Sequence, residues 1–168
     1  MKFSDIKILV LDVDGILTDN LYYISDKGVV TKSFYTRDFY ALRIIQEMGI
    51  KVFIMTESHD NCIMEQYNRL LEPSKKLMSV HNRVGSKKKE IEDYILWDKN
   101  LSWENIAYMG DAENDLECMK VAGITGCPFD AIDAVKEEAT FISDKTGGKG
   151  CVYDFIQYLL KGIKNESK

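Results

Sequence analysis

A chain of 168 residues with 45% hydrophobic and 29% charged side chains can bury a core of ordinary size, which excludes a disordered tract. Its net charge of -5, from 22 Lys and Arg against 27 Asp and Glu, argues against nucleic acid as a partner. No apolar run approaches the ~20 residues of a membrane span, so no membrane is expected either.

Residues 6–13 are apolar on both faces and read as a buried strand that runs into Asp12, Asp14 and Gly15. The N-terminus lacks a small-residue cleavage site and is a poor signal peptide. The stretch LYYISDKGVVTKSFY carries two strand-like runs around Asp26-Lys27-Gly28, a hairpin signal. Residues 37–48 place Ala41, Leu42, Ile45 and Met48 at helical spacing, with Gly49 as the stop. KVFIMT, residues 51–56, is a second buried strand. Residues 61–71 read as a helix, 76–80 as a short strand and 86–99 as a helix with Ile91, Tyr94 and Ile95 inward. Residues 106–109 form a strand ending in Gly110-Asp111. A helix at 115–121, a strand at 124–127, a helix at 131–138 and a strand at 140–142 follow. Val152, Phe155, Ile156, Leu159, Leu160 and Ile163 then make one apolar stripe on a final helix. Pro73 and Pro128 fall in loops. The four cysteines, Cys62, Cys118, Cys127 and Cys151, form no C-x-x-C pair, so they read as small buried hydrophobes in a reduced, cytoplasmic setting.

Alternating strands and helices predict an α/β fold, a Rossmann-like doubly wound parallel sheet with helices on both faces, in a single domain over residues 1–168. Ligands of such sheets sit at the carboxyl ends of the strands. Three polar sites fall there: Asp12 with Asp14, Thr56, and Asp111. They are scattered along the sequence, and the fold would bring them together.

Asp12 and Asp14 are two apart in an extended segment and face the same way, with Gly15 permitting a tight turn beside them. Their mutual repulsion calls for a cation, and oxygen-only ligands favour Mg²⁺ over zinc. Asp111 can add a further oxygen. A calcium loop does not fit, because Gly15 comes too early and Ile16 stands where a ligand is needed. In GDAEND, residues 110–115, Asp115 reads either as part of the same site or as a charge at a helix N-terminus. Thr56 can donate a hydroxyl hydrogen bond to a phosphoryl oxygen. Lys87-Lys88-Lys89 at a helix start reads either as a solvated run or as one lysine facing the site with two in solvent. His59 and His81 read as surface or core residues.

With these residues in order, the chain resembles the haloacid dehalogenase superfamily of phosphohydrolases over nearly its whole length. Asp12-x-Asp14-Gly15-x-x-Thr18-Asp19 looks like the first motif, Thr56 the second, a lysine the third and Gly110-Asp111-x-x-x-Asp115 the fourth. The hairpin flap at about residues 20–35, the Thr146-Gly147-Gly148-Lys149-Gly150 stretch and the lack of room for a large cap look like the capless subgroup. The resemblance implies that Asp12 is the nucleophile and Asp14 the general acid and base. It implies Mg²⁺ held by Asp12, the Asp14 main-chain carbonyl and Asp111, with Asp115 behind them. Thr56 and Lys89 would bind the phosphoryl group; the family spacing from Gly85 selects Lys89, with Lys88 the fallback. It further implies a homotetramer in which a neighbour's C-terminal tail (about 146–168) helps close the site.

The implied substrate is a phosphorylated 2-keto-3-deoxy sugar acid, of octulosonate 8-phosphate or nonulosonate 9-phosphate type. Arg37, Glu57 and Lys149 stand at substrate-contact positions, but the chain departs from the family pattern at Phe39, Glu57, Ser58, Gln66 and Lys149. Where the family carries arginine, Lys149 keeps the charge but not a bidentate clamp. Two alternatives stay open: a phosphatase of other small sugar phosphates, and a non-catalytic tetramerisation module like the domain fused to sialic acid cytidylyltransferases. Intact Asp12, Asp14 and Asp111 favour the enzyme.

Overall fold

The computed structural model describes residues 2–70 and 77–166. Six strands, β1 (Ile8–Leu11), β4 (Lys51–Met55), β5 (Met78–His81), β6 (Ile106–Met109), β7 (Ile124–Cys127) and β8 (Phe141–Ile142), pair in parallel in the order β5-β4-β1-β6-β7-β8. Two short strands, β2 (Tyr23–Ile24) and β3 (Val30–Thr31), form a separate antiparallel hairpin, and no large cap is present among the described residues. The helices are α1 (Thr36–Glu47), α2 (Cys62–Asn68), α3 (Lys87–Tyr94), α4 (Leu116–Met119), α5 (Asp133–Glu138) and α6 (Cys151–Glu166).

The sheet is covered on both faces, which is why its strands read as unbroken apolar runs. Successive side chains of a strand point to opposite faces. Leu9 and Leu11 join Leu42, Ile45, Phe155 and Leu159 on the side of α1 and α6, whereas Ile8 and Val10 join Ile91, Tyr108 and Val135 on the other. Gly126 in β7 is required on the first face: a Cβ there would lie 2.7 Å from the Phe155 ring. Val152, Phe155, Ile156 and Leu159 are fully buried, so the final helix expected from its apolar stripe is, from Cys151 onward, part of the core. Asp38 of α1 fixes its start by accepting a hydrogen bond from Tyr153 N–H at 2.8 Å.

The element boundaries differ from the expected ones at several ends. β1 stops at Leu11 because Val13 carbonyl accepts from the N–H groups of Ile16, Leu17 and Thr18, which turns the chain at once. α3 ends at Tyr94 rather than 99, and a turn in which Asp98 accepts from Asn100 N–H follows it. The helix expected at 115–121 is split into a 3₁₀ turn, Glu113–Asp115, and the short α4. Leu71, Pro73 and Lys76, which bear on the expected helix at 61–71 and strand at 76–80, lie outside the described residues.

Candidate active site

Strand order reverses at β1, which lies between β4 and β6, and a crevice opens beyond the carboxyl ends of these three strands. Leu11 is in register with Ile54 on one side and Met109 on the other, so Asp12, Thr56 and Asp111 leave neighbouring strand ends. All three are buried, and Asp115 is wholly so. One carboxylate oxygen from each of Asp12, Asp111 and Asp115 lies within 4.8 Å of the others. Gly15 makes this approach possible. It sits at φ +86°, and a Cβ there would come within 2.1 Å of Asp111 Oδ2.

The lysine that meets these carboxylates is Lys87, not Lys89. Its Nζ lies 2.9 Å from Asp12 Oδ1 and 2.7 Å from Asp115 Oδ1, with no part of the side chain exposed. Lys89 is exposed and Lys88 is half-buried. Ser86 is the N-cap, accepting from Lys89 N–H at 3.3 Å, so Lys87 is the first helical residue. Lys89 lies two residues on, more than half a turn around the helix, and points away. Burial opposes the charge on Lys87, but Asp12 and Asp115 outweigh it and hold its pKa above the ordinary value.

Asp115 is satisfied at both oxygens. Oδ1 accepts from Lys87 and from Tyr108 OH at 2.6 Å, and Oδ2 accepts from the N–H groups of Asp111 at 2.9 Å and Ala112 at 3.2 Å. It therefore fixes the loop that presents Asp111. Burial raises the pKa of the Asp12 carboxyl, with Lys87 opposing and Asp115 adding. Burial, and then Asp115, raises Asp111 to about 7. Three carboxylates against one lysine are short of positive charge.

Asp14 stands at the mouth of the crevice. Its Oδ1 accepts from Thr18 Oγ1 at 3.0 Å, and its Oδ2 from Lys32 Nζ at 2.8 Å. It borders a cleft of about 310 Å³ together with Asn20, Tyr22, Lys32, His59 and Asp60. Thr56 Oγ1 accepts from Ser58 N–H at 3.0 Å, which leaves its own proton for another acceptor. Glu57 borders a second cleft of about 310 Å³ beside Lys87, Lys88 and Glu113. Lys149 is exposed and pairs with Asp19 at 3.4 Å, and the Gly147–Gly148 loop behind it packs on the turn after Asp14, where Gly148 N–H donates to Ile16 carbonyl. Arg37 is exposed in the first turn of α1 and borders neither cleft.

A haloacid dehalogenase-like hydrolase family model matches residues 50–156. The chain belongs to that family. Among hydrolases related to it, the 3-deoxy-D-manno-octulosonate 8-phosphate phosphatase of Salmonella typhi is 31% identical over 99% of this chain and 87% of its own length. The N-acylneuraminate cytidylyltransferase of Oncorhynchus mykiss is 28% identical over 97% of this chain, which spans only 37% of that protein's length. The crystal structure of the octulosonate 8-phosphate phosphatase of Moraxella catarrhalis, in complex with magnesium, phosphate and KDO, shares the fold at a TM-score of 0.87. It is 24% identical and is matched over 97% of this chain and 90% of its own.

The residues of this hydrolase fit a divalent cation. Asp111 Oδ1 is buried without a hydrogen-bond partner among the described residues, and an oxygen-only set with excess negative charge suits a hard ion. Three polar residues escaped the sequence reading. A buried strand containing Tyr108 implies a partner for its hydroxyl, which is a legible signal. Lys32 and Asp60 gave none, because a lysine on an edge hairpin ordinarily faces solvent.

Proposed function

We propose that the chain is a Mg²⁺-dependent phosphomonoesterase that hydrolyses a phosphorylated 2-keto-3-deoxy sugar acid through an aspartyl-phosphate. The observation that carries this reading is the buried cluster in which Lys87 binds Asp12 while Asp111 keeps an unpartnered oxygen beside it. Asp12 attacks phosphorus as the ester bond breaks, and Asp14 gives its proton to the departing oxygen. Water then attacks the same phosphorus and loses a proton to Asp14, which frees Asp12 and inorganic phosphate. Thr56 and Lys87 bind the phosphoryl oxygens as their charge redistributes. A Mg²⁺ ion held by Asp12, the Asp14 main-chain carbonyl and Asp111 would supply the neutralisation that lets an anionic nucleophile meet an anionic phosphate.

The polar cleft beside Asp14 supports a hydroxylated leaving group, with Asn20, Tyr22, Ser58 and His59 within it. Of the expected substrate residues, Glu57 borders a cleft at the site, whereas Lys149 and Arg37 would need a rearrangement or a second subunit to reach substrate. Exposed Leu21, Tyr22, Tyr23, Ile24 and Val29 on the hairpin support assembly into a homotetramer. No described helix is long and apolar enough to cross a membrane.

The test is phosphate release from octulosonate 8-phosphate, nonulosonate 9-phosphate and ordinary sugar phosphates, with and without Mg²⁺, beside Asp12→Asn. Metal-dependent release strongest on a sugar-acid phosphate, and lost in the variant, is expected. Release spread over ordinary sugar phosphates would remove the substrate class. No release from any ester would remove the enzyme and leave the assembly module.

A further inference from the structure

Lys32 is the polar tie between the hairpin and the crevice. Its side chain is only 4% exposed, although the hairpin around it is mostly open to solvent. Lysine is rarely buried without a partner, and here it has two. Its Nζ lies 2.8 Å from Asp14 Oδ2 and 2.5 Å from Asp60 Oδ2, with Ser58 Oγ at 3.5 Å. Asp60 is itself held in place: its Oδ1 accepts from Cys62 N–H at 2.8 Å and its Oδ2 from Ser58 Oγ at 2.5 Å. One carboxylate, fixed to the loop after β4, thus anchors the lysine, and the lysine in turn grips the acid at the end of β1. The two Asp14 oxygens are divided between Thr18 and Lys32. With Lys32 removed, Asp14, whose side chain is 28% exposed, keeps Thr18 as its side-chain partner and is free to turn about its last torsion.

We propose that Lys32 is a positioning residue for the reaction: anchored by Asp60, it aims the Asp14 carboxyl at the departing oxygen. The proposal rests on the phosphatase reading given above. A lysine that only pinned the hairpin would affect all substrates alike. A lysine that serves proton donation matters most where the leaving group needs a proton. An alkoxide needs one as the P–O bond breaks and its electron pair moves to oxygen, whereas a nitrophenolate departs without it.

The experiment uses the full chain with Mg²⁺ and compares kcat/KM for a sugar phosphate and for p-nitrophenyl phosphate. This ratio of constants covers the steps up to leaving-group departure, so the later attack of water does not enter. In Lys32→Met the sugar phosphate value falls about 10- to 100-fold, and its ratio to the aryl value falls at least about tenfold, part of the roughly 100- to 10,000-fold that a general acid contributes. Asp60→Asn, which keeps the lysine but loosens its anchor, moves the ratio the same way by less, and it serves if Lys32→Met does not fold. Equal losses on both substrates, or an unchanged ratio, in a wild type that is active would overturn the role of Lys32 alone. A wild type that releases phosphate from neither ester would overturn the phosphatase reading and this proposal with it.

Discussion

Replacing Lys87 with methionine, which has similar length and no charge, separates the lysine the structure selects from the one the spacing selects. In the wild type its ammonium sits 2.9 Å from Asp12 and 2.7 Å from Asp115, with the side chain wholly buried. Removing a buried ion pair as a whole is often neutral, but removing one partner leaves buried charge uncompensated at a cost of about 3–5 kcal/mol. Here two carboxylates lose their shared cation while Asp111 crowds them. Urea unfolding with a slope of roughly 2–3 kcal/mol/M turns that loss into a midpoint about 1–2.5 M lower. The same variant loses phosphate release, because Asp12 and the incoming phosphate then meet without the ammonium. Lys89→Met, altered on the exposed side of α3, keeps both the midpoint and the activity. Unchanged unfolding and turnover in Lys87→Met, or loss of turnover in Lys89→Met, would refute the placement.

Two further predictions concern the cation and the core. Mg²⁺ raises the melting temperature of the wild type, by the equivalent of about 2.7 kcal/mol at a hundredfold excess over Kd. Gly15→Ala, whose Cβ would fall 2.1 Å from Asp111 Oδ2 at φ +86°, loses that shift, and an equal shift in the variant would mean that the ion does not sit against Asp111. For Asp38, burial lifts the carboxyl to about 7, against the Tyr153 N–H and with Asp154 adding. The unfolded chain titrates it near ~3.9. The folded form thus binds the proton more tightly, so its contribution to stability is fully present below about pH 4 and is lost as pH rises through about 7. Asp38→Asn stays neutral throughout, so its melting temperature relative to wild type climbs between pH 4 and 7 and then levels. A difference independent of pH would show that Asp38 is ionised in the fold.

The α/β class and the parallel, doubly covered sheet were legible because a strand buried on both faces must be apolar at every position, as in ILVL and IAYM, while helices must show a stripe, as α6 does. Carboxylates placed just past such strands marked the crevice, since only the carboxyl edge of a parallel sheet gathers strand ends from distant parts of a chain. Which lysine enters could not be read from spacing: the three adjacent lysines differ in nothing but angle around a helix whose first residue is set by the Ser86 cap. What the final helix packs on was equally illegible. An apolar stripe says that a helix is covered but not by what, and here α1 and Gly126 of the chain's own sheet cover it. Lys32 and Asp60 are the farthest from legible, because a salt bridge between a hairpin and a loop 28 residues away in sequence exists only once both have been folded over the same strand end. The sequence by itself determined the layers and the chemical groups at their edge, through periodicity and residue type. The tertiary structure alone decided which charges meet, because Coulombic pairing depends on distances of a few ångströms that no spacing along the chain encodes.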